Sequence, residues 1–322
     1  MVKSILITIV LVCIVPVLLS VPFRNIGSPA QSNLNENAII STTVPRDVQS
    51  SQQEENYLTV MTDEGVVRMQ VENYLIGVVL AEMPAEFDIE ALKAQAVVAR
   101  TYTHKRMQSP KHTSSDICTN PACCQAYMDV KTYMKNGGSD AAVSKIEKAV
   151  SMTESEVLYY DDQLIEATYF SCSGGRTEDA AEVWGGDVPY LQSVDSPGEE
   201  NATHYTDTVR FNKSDFCSLL DIPLSATVSV SEIKYTQGGG VLQLTVDGYT
   251  FSGTQIRSLL GLRSTAFVIS IAGDSVTVTT KGFGHRVGMS QYGAEAMAVS
   301  GYSYEEILTH YYSGVEIGYI DC

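Results

Sequence analysis

Near the N-terminus, Ile5 to Pro22 reads ILITIVLVCIVPVLLSVP without a charge, a length that just crosses a bilayer. It divides the chain, because whatever packs into a water-soluble body must come from the residues after it. The run is longer than the apolar part of a usual secretory signal, and Leu18-Leu19-Ser20 puts bulk where a cleavage site needs a small residue. Residues 1–24 are therefore expected to be a short cytoplasmic tip and an uncleaved transmembrane anchor, with a cleaved signal peptide as the rival. Both readings place the remainder outside the cytoplasm. Lys3 and Arg24 flank the run on either side, so charge sets its orientation only weakly.

Residues 25–56 hold no aromatic side chain and abound in Ser, Asn and Gln, the composition of a solvated flexible linker. Such a coil reaches on the order of 30 Å. The body is expected at 57–322. The chain has 21 Lys plus Arg against 38 Asp plus Glu, a net charge of −17, which excludes nucleic acid as the main partner because phosphate binding draws on clustered cations. It also argues against a polybasic membrane-surface protein. Seven cysteines are an odd number in a long chain, a poor start for a complete disulfide framework.

Within the body, apolar residues flank the Gly-containing turn in YLTVM-TDEG-VVRMQV, a hairpin pattern. Spacing then turns helical from Val71 to Glu82, with Leu75, Val78, Val79 and Glu82 on one face, until Pro84 stops it. A second helix is expected from an Asp88 cap to about Arg106, with Glu90 in its first turn and Lys105-Arg106 in its last. Strand alternation dominates a lobe at about 226–281, with turns at Gly238-Gly239-Gly240 and Asp247-Gly248 and a short helix from Gln255 to Leu260. Ser303-Tyr304-Glu305-Glu306 opens a last helix with a capping box. Helices and antiparallel strands mix without a βαβ rhythm, so the fold class is α+β.

Three stretches carry chemistry. In Leu80-Ala81-Glu82-Met83-Pro84, Glu82 combines an apolar helix face with the negative end of the helix dipole. Both disfavour its anion and suit a general acid. A Glu that points to solvent or pairs with Arg100 fits the periodicity equally. His112, Cys118, Cys123 and Cys124 crowd a short span; imidazole and thiolates are zinc donors, and such a set would brace a loop rather than activate water. A Cys118–Cys124 disulfide or free thiols are the alternatives. Lys281-Gly282-Phe283-Gly284-His285-Arg286-Val287-Gly288-Met289-Ser290-Gln291-Tyr292-Gly293-Ala294 lets backbone approach a ligand closely, and His285 and Gln291 suit sugar hydroxyls or N-acetyl groups. A weaker stretch, Ser171 to Glu178, leads to the only tryptophan, Trp184.

Taken in order, these stretches resemble the stage II sporulation protein D family, membrane-anchored lytic transglycosylases of endospore-forming bacteria. The resemblance rests on Glu82-Met83-Pro84-Ala85-Glu86-Phe87, Leu92-Lys93-Ala94-Gln95-Ala96 through Tyr102, Ser173-Gly174-Gly175, Val188-Pro189-Tyr190-Leu191 and Gly282 to Ala294, and spans about residues 71–314. It implies a groove that binds peptidoglycan glycan strands stripped of stem peptides. Cleavage there would fall between N-acetylmuramic acid and N-acetylglucosamine, with a 1,6-anhydro product. The family's catalytic glutamate maps to Glu82 and its needed arginine to Arg100. Arg100, Ser173, Gly174, Gly175, Arg176, His285 and Gln291 form the expected substrate-contact set. Zn²⁺ on His112, Cys118 and Cys124 is similar to the site of some members, with Cys123 or water completing it.

The family also implies an amidase partner, stage II sporulation protein P, and a scaffold, stage II sporulation protein M. The location it implies is the mother-cell membrane, facing the intermembrane space of the sporulating cell. This chain departs from family habit at Arg286, where glycine is frequent, at Phe283 and Tyr292 for tryptophan, at Phe170 or Ser171 for histidine, and at Cys123 for histidine. A non-catalytic wall-binding activator of an amidase is the competing function, since relatives of this fold include amidase enhancers. A zinc peptidase or amidase is disfavoured, because the chain lacks H-E-x-x-H and its candidate ligands are mostly thiolates.

Overall fold

The computed structural model describes residues 57–320. The expected anchor and linker lie outside the described residues. Among the described residues no helix is long and apolar enough to cross a membrane.

Strands β1 (Tyr57–Thr62) and β2 (Gly65–Gln70) form the expected hairpin, closing at Thr62 opposite Gly65. Helix α1 (Val71–Glu82) follows at once and ends two residues before Pro84, with Met83 as its C-cap. Helix α2 (Ile89–Gln108) is capped by the Asp88 carboxylate, which accepts from the Glu90 amide. It is the axis of the larger core. Buried residues line it on nearly every side, and Ala91, Ala94, Ala96 and Ala99 let its neighbours approach.

Next come the short β3 (Ile117–Cys118), which pairs parallel to β1, helices α3 (Val130–Lys135) and α4 (Asp140–Met152), and strands β4 (Glu156–Tyr160), β5 (Gln163–Leu164) and β6 (Tyr169–Phe170). Helix α5 (Ala180–Trp184) precedes β7 (Thr206–Asn212) and α6 (Lys213–Leu219). Strands β8 (Val230–Tyr235), β9 (Val241–Val246) and β10 (Tyr249–Ser252), helix α7 (Gly253–Leu259), and strands β11 (Phe267–Ala272) and β12 (Ser275–Lys281) follow. The chain returns through β13 (Met289–Ser290), α8 (Gln291–Val299), α9 (Tyr304–Tyr311) and β14 (Glu316–Tyr319). The Ser303 capping box on α9 is formed in both directions. This is a mixed α+β architecture with small sheets.

The described residues form two cores. The larger wraps α2 with α1, α4, α8, α9 and β4, and takes in Leu58, Tyr74, Leu92, Ile146, Leu158, Ile307 and Tyr312. The second lies between the sheets β10-β9-β8 and β11-β12-β7 and includes Phe216, Leu244, Val246, Ile256, Val276 and Val278. The strand-rich lobe thus begins at Thr206 rather than near 226. β7 pairs along its whole length with β12, Thr206 opposite Lys281, and α6 plugs the lobe with Phe216. Alternate residues of β7 are only half-buried, which blurs the period-two signal that marks a strand.

Candidate active site

Glu82 ends α1, where the last turn leaves carbonyls without helical partners. Its side chain turns inward. Oε1 accepts the Ala126 amide at 2.8 Å and lies 3.3 Å from the Tyr169 hydroxyl, while the Gln291 amide donates to Oε2 at 3.4 Å. Burial raises its pKa above the ordinary carboxyl value, and those three hydrogen bonds offset the rise only in part. Of the two sequence readings, the structure adopts the inward-turned carboxyl, half-buried at the cavity. Arg100 pairs elsewhere, and Glu86 beyond Pro84 is exposed.

Glu82 lines a cavity of about 680 Å³ together with Tyr169, Trp184, His285 and Gln291 on one side and the Lys111 and Cys123-Cys124 segments on another. That volume suits a ligand of one or two sugar rings. Trp184 leaves 49% of its surface exposed, with the His285 ring 5.3 Å behind it, an apolar plate of the kind that stacks on a sugar. The Val287 amide donates to Nδ1 of His285, so in the neutral ring the proton sits on Nε2. Burial, reinforced by Arg257, lowers the His285 pKa to about 4, and the imidazole is neutral at physiological pH.

The wall opposite is the loop between β3 and α3. Tyr127 stacks on Tyr74 with centroids 5.5 Å apart, and the Met128 amide donates to the Gly77 carbonyl. A Cβ at Gly77 would fall 2.3 Å from the Tyr127 ring, so only glycine lets this loop lie flat on α1. The same loop gathers His112, Cys118, Cys123 and Cys124, whose donor atoms all lie within 4.8 Å of one another. Nε2 of His112 is 3.7 Å from Sγ of Cys123 and 3.5 Å from Sγ of Cys124. Bonds of about 2.1–2.3 Å to one tetrahedral Zn²⁺ put donors at close to these separations, so the set fits the metal. The Cys118–Cys124 disulfide is not formed; both are free thiols. Burial pushes the Cys124 thiol up to about 11, a cost that coordination would reverse by stabilising the thiolate.

Five of the expected contact residues stand away from the cavity lining. Arg100 is wholly buried: Nε and Nη2 clamp the Glu72 carboxylate at 2.8 and 2.7 Å, and the remaining donors reach Thr153 and the Val150 and Glu156 carbonyls. It has no surface to offer a ligand and ties α1 and α2 to the end of α4. Ser173 is also fully buried. Its amide and hydroxyl, with the Gly174 amide, donate to Oε2 of Glu199 at 2.8–2.9 Å.

Gly174 and Gly282 both have positive φ, and each Cβ would strike the other loop's backbone at 2.6–3.0 Å. This glycine contact is backbone-to-backbone packing, and Gly175 continues it outside the cavity lining. Arg176 is turned to Ser193 and Asp195. The loop braces the cavity wall rather than lining it. His285 and Gln291, by contrast, do line the cavity.

Residues 61–160 match the family model described as Stage II sporulation protein. The chain is 36% identical to stage II sporulation protein D of Bacillus subtilis (strain 168), over 97% of this chain and 93% of that protein. It is 40% identical to stage II sporulation protein D of Bacillus amyloliquefaciens, over 81% and 77% of the two chains. The chain belongs to the stage II sporulation protein D family. It is also 31% identical to a Bacillus subtilis (strain 168) protein named amidase enhancer, over 76% of this chain and 40% of that longer one.

Arg286, beside His285, holds φ 67° and is 2% exposed. It pairs with the buried Glu178 at 2.8 Å and donates to the carbonyls of Ser173, Arg176 and Gly238. Sequence reasoning missed Tyr169, the Ala126 amide, Lys111 and Glu199. Ala126 acts through its backbone and leaves no sequence signal at all. Glu199 is buried and accepts from Ser173, Ser196 and Ser290. Ser290 caps α8, so the same carboxylate that orders the Ser173 loop fixes the helix end from which Gln291 reaches Glu82.

Proposed function

We propose that this chain is a peptidoglycan lytic transglycosylase acting on denuded glycan strands in a groove that contains the Glu82 cavity. The supporting observation is a half-buried carboxyl with a raised pKa, held by three neutral donors in a cavity of sugar-binding size and chemistry. A protonated Glu82 donates to the glycosidic oxygen as the bond between N-acetylmuramic acid and N-acetylglucosamine breaks. The C6 hydroxyl of the muramic acid then attacks the oxocarbenium-like carbon and returns its proton to Glu82. One carboxyl serves as acid and base in turn, and no water is consumed. The two-carboxylate scheme of most glycosidases needs a second group. Among the described residues the other carboxylate lining the cavity is Glu166, which is committed to Arg106.

Zn²⁺ on His112, Cys118, Cys123 and Cys124 would supply structural bracing. Those residues fix the loop that carries the Ala126 amide, and this amide holds Glu82 in place. On this reading the chain is anchored in the mother-cell membrane with its body facing the intermembrane space. It works there beside the amidase, stage II sporulation protein P, and the scaffold, stage II sporulation protein M. The relative named amidase enhancer supports a second reading, a wall-binding activator without turnover. Incubating the chain with denuded strands and weighing the products separates the two. Transglycosylation leaves 1,6-anhydro ends, lighter by one water than reducing ends; reducing ends alone would mean hydrolysis, and no turnover without added amidase would favour the activator.

A further inference from the structure

We propose that Lys111 is the specificity-determining residue of the cavity, its ammonium receiving the free lactyl carboxylate of a muramic acid whose stem peptide has been removed. The inference rests on the glycan reading above. Among the described residues lining the cavity, the carboxyl groups are Glu82 and Glu166, and Lys111 is the one lysine or arginine. Burial favours the proton on Glu82, and Glu166 is paired with Arg106. Lys111 has neither fate. Its Nζ donates to the Tyr102 hydroxyl and the Cys123 carbonyl, each at 3.0 Å, and no carboxylate among the described residues pairs with it. Two neutral acceptors hold the ammonium in place without neutralising it. An ammonium has three donors; Lys111 is exposed, and beyond these two acceptors its Nζ meets the Tyr102 ring, 5.4 Å from the centroid, which leaves a donor open to the cavity. In a chain of net charge −17, this cation is placed to receive an anion.

The substrate has one to offer only after a particular reaction. On an intact strand the lactyl carbonyl is an amide, neutral and followed by the peptide. Hydrolysis breaks that C–N bond, water supplying the hydroxyl to carbon and a proton to nitrogen, and a carboxylate and a free amine result. A charge-assisted hydrogen bond forms with the carboxylate and not with the amide. Lys111 would thus make this cavity follow an amidase-class step.

The test uses the full-length chain in mild detergent with Glu82→Gln to prevent turnover. Binding is compared on denuded strands and on the same strands with their lactyl carboxylates converted to methylamides. The expected result is about tenfold tighter binding of the free acid, the scale of one charge-assisted hydrogen bond. Lys111→Met should bind both strands alike, and Lys111→Arg should keep the preference, with metal content and melting temperature unchanged in both. A preference that survives Lys111→Met overturns the proposal, as does the absence of one in the parent. Loss of preference in Lys111→Arg together with loss of metal also overturns it, because Lys111 would then be only a brace for the Cys123 loop. Failure of the parent to bind either strand overturns the glycan reading itself, and this inference with it.

Discussion

Glu82 sits at a helix end that repels its anion, inside a wall that strips its water, against three groups none of which carries a positive charge. The same burial that suits it to donate a proton costs the fold stability. Its folded pKa is raised, so across the window from the ordinary carboxyl range up to that raised value the native state holds more protons than the unfolded one. Stability therefore falls as pH rises through the window and stays lower above it. Glu82→Gln should abolish cleavage, by about 10²–10⁴-fold or more, while keeping strand binding. Its melting temperature should match the parent's below the window and exceed it at neutral pH, a gap that calorimetry at several pH values would measure. Cleavage by the parent should decline as pH rises past the raised pKa. Arg100 presents the opposite case, a residue whose importance lies in the fold. Arg100→Met strands Glu72 and several carbonyls, and should cost about 3 kcal/mol in urea unfolding. The folded fraction should bind strands with unchanged affinity, and weakened binding there would restore Arg100 to the contact set.

At the scale of elements, three ends meet at the site: the C-terminus of α1, the loop after β3 and the N-terminus of α8. Each is fastened separately. Pro84 stops α1, Tyr127 and Gly77 press the loop against it, and Glu199 holds Ser290 at the cap of α8. Cys123 and Cys124 of the metal-ligand set lie in the loop that supplies the Ala126 amide, Cys118 ends β3 and His112 precedes it, so the set ties this loop to β3. Cys118→Ser, or chelation of the bound metal, should lower melting temperature and cleavage rate together, because a structural metal contributes folding energy. Elemental analysis before and after chelation checks the cause. Zinc-free protein that melts and cleaves as before would remove the metal from this account.

Across the whole molecule, the two cores communicate through a buried ion pair. Arg286 binds Glu178 and the Gly238 carbonyl in the turn between β8 and β9, while the Gly240 amide donates to Glu178. The strand-rich lobe is thereby latched to the segment that carries His285. Arg286→Gly would relieve a left-handed backbone, worth about 1 kcal/mol, but would leave a buried carboxylate without its cation, worth about 3 kcal/mol or more. The net loss should be about 2 kcal/mol in urea unfolding. Adding Glu178→Gln should recover part of it, since the stranded charge is then gone; a double variant no more stable than the single would show that the latch works through its carbonyl contacts alone.

Local rules made much of this protein legible from its sequence. The first hairpin, the stop at Pro84, the Asp88 cap, the Ser303 capping box and the turns of the strand-rich lobe depend on residues within a few positions of one another, and they appear where spacing puts them. The crowding of His112, Cys118, Cys123 and Cys124 was legible for the same reason. Tertiary structure alone decided which polar residues meet. Arg100 and Glu82 both lie on helices rich in buried apolar residues, yet Arg100 is clamped by Glu72 while Glu82 faces the cavity, because the choice depends on how α1 and α2 cross and where α4 ends. The glycine-rich loops also serve the fold: Gly174 and Gly282 pack backbone to backbone, while Phe283, Gly284 and His285 of the second loop line the cavity. The lobe boundary at Thr206 depended on the pairing of β7 with the distant β12. Residue type and periodicity carry propensity and chemistry; the partner of each buried charge is set by contacts between segments far apart in the chain, and only the folded chain brings those segments together.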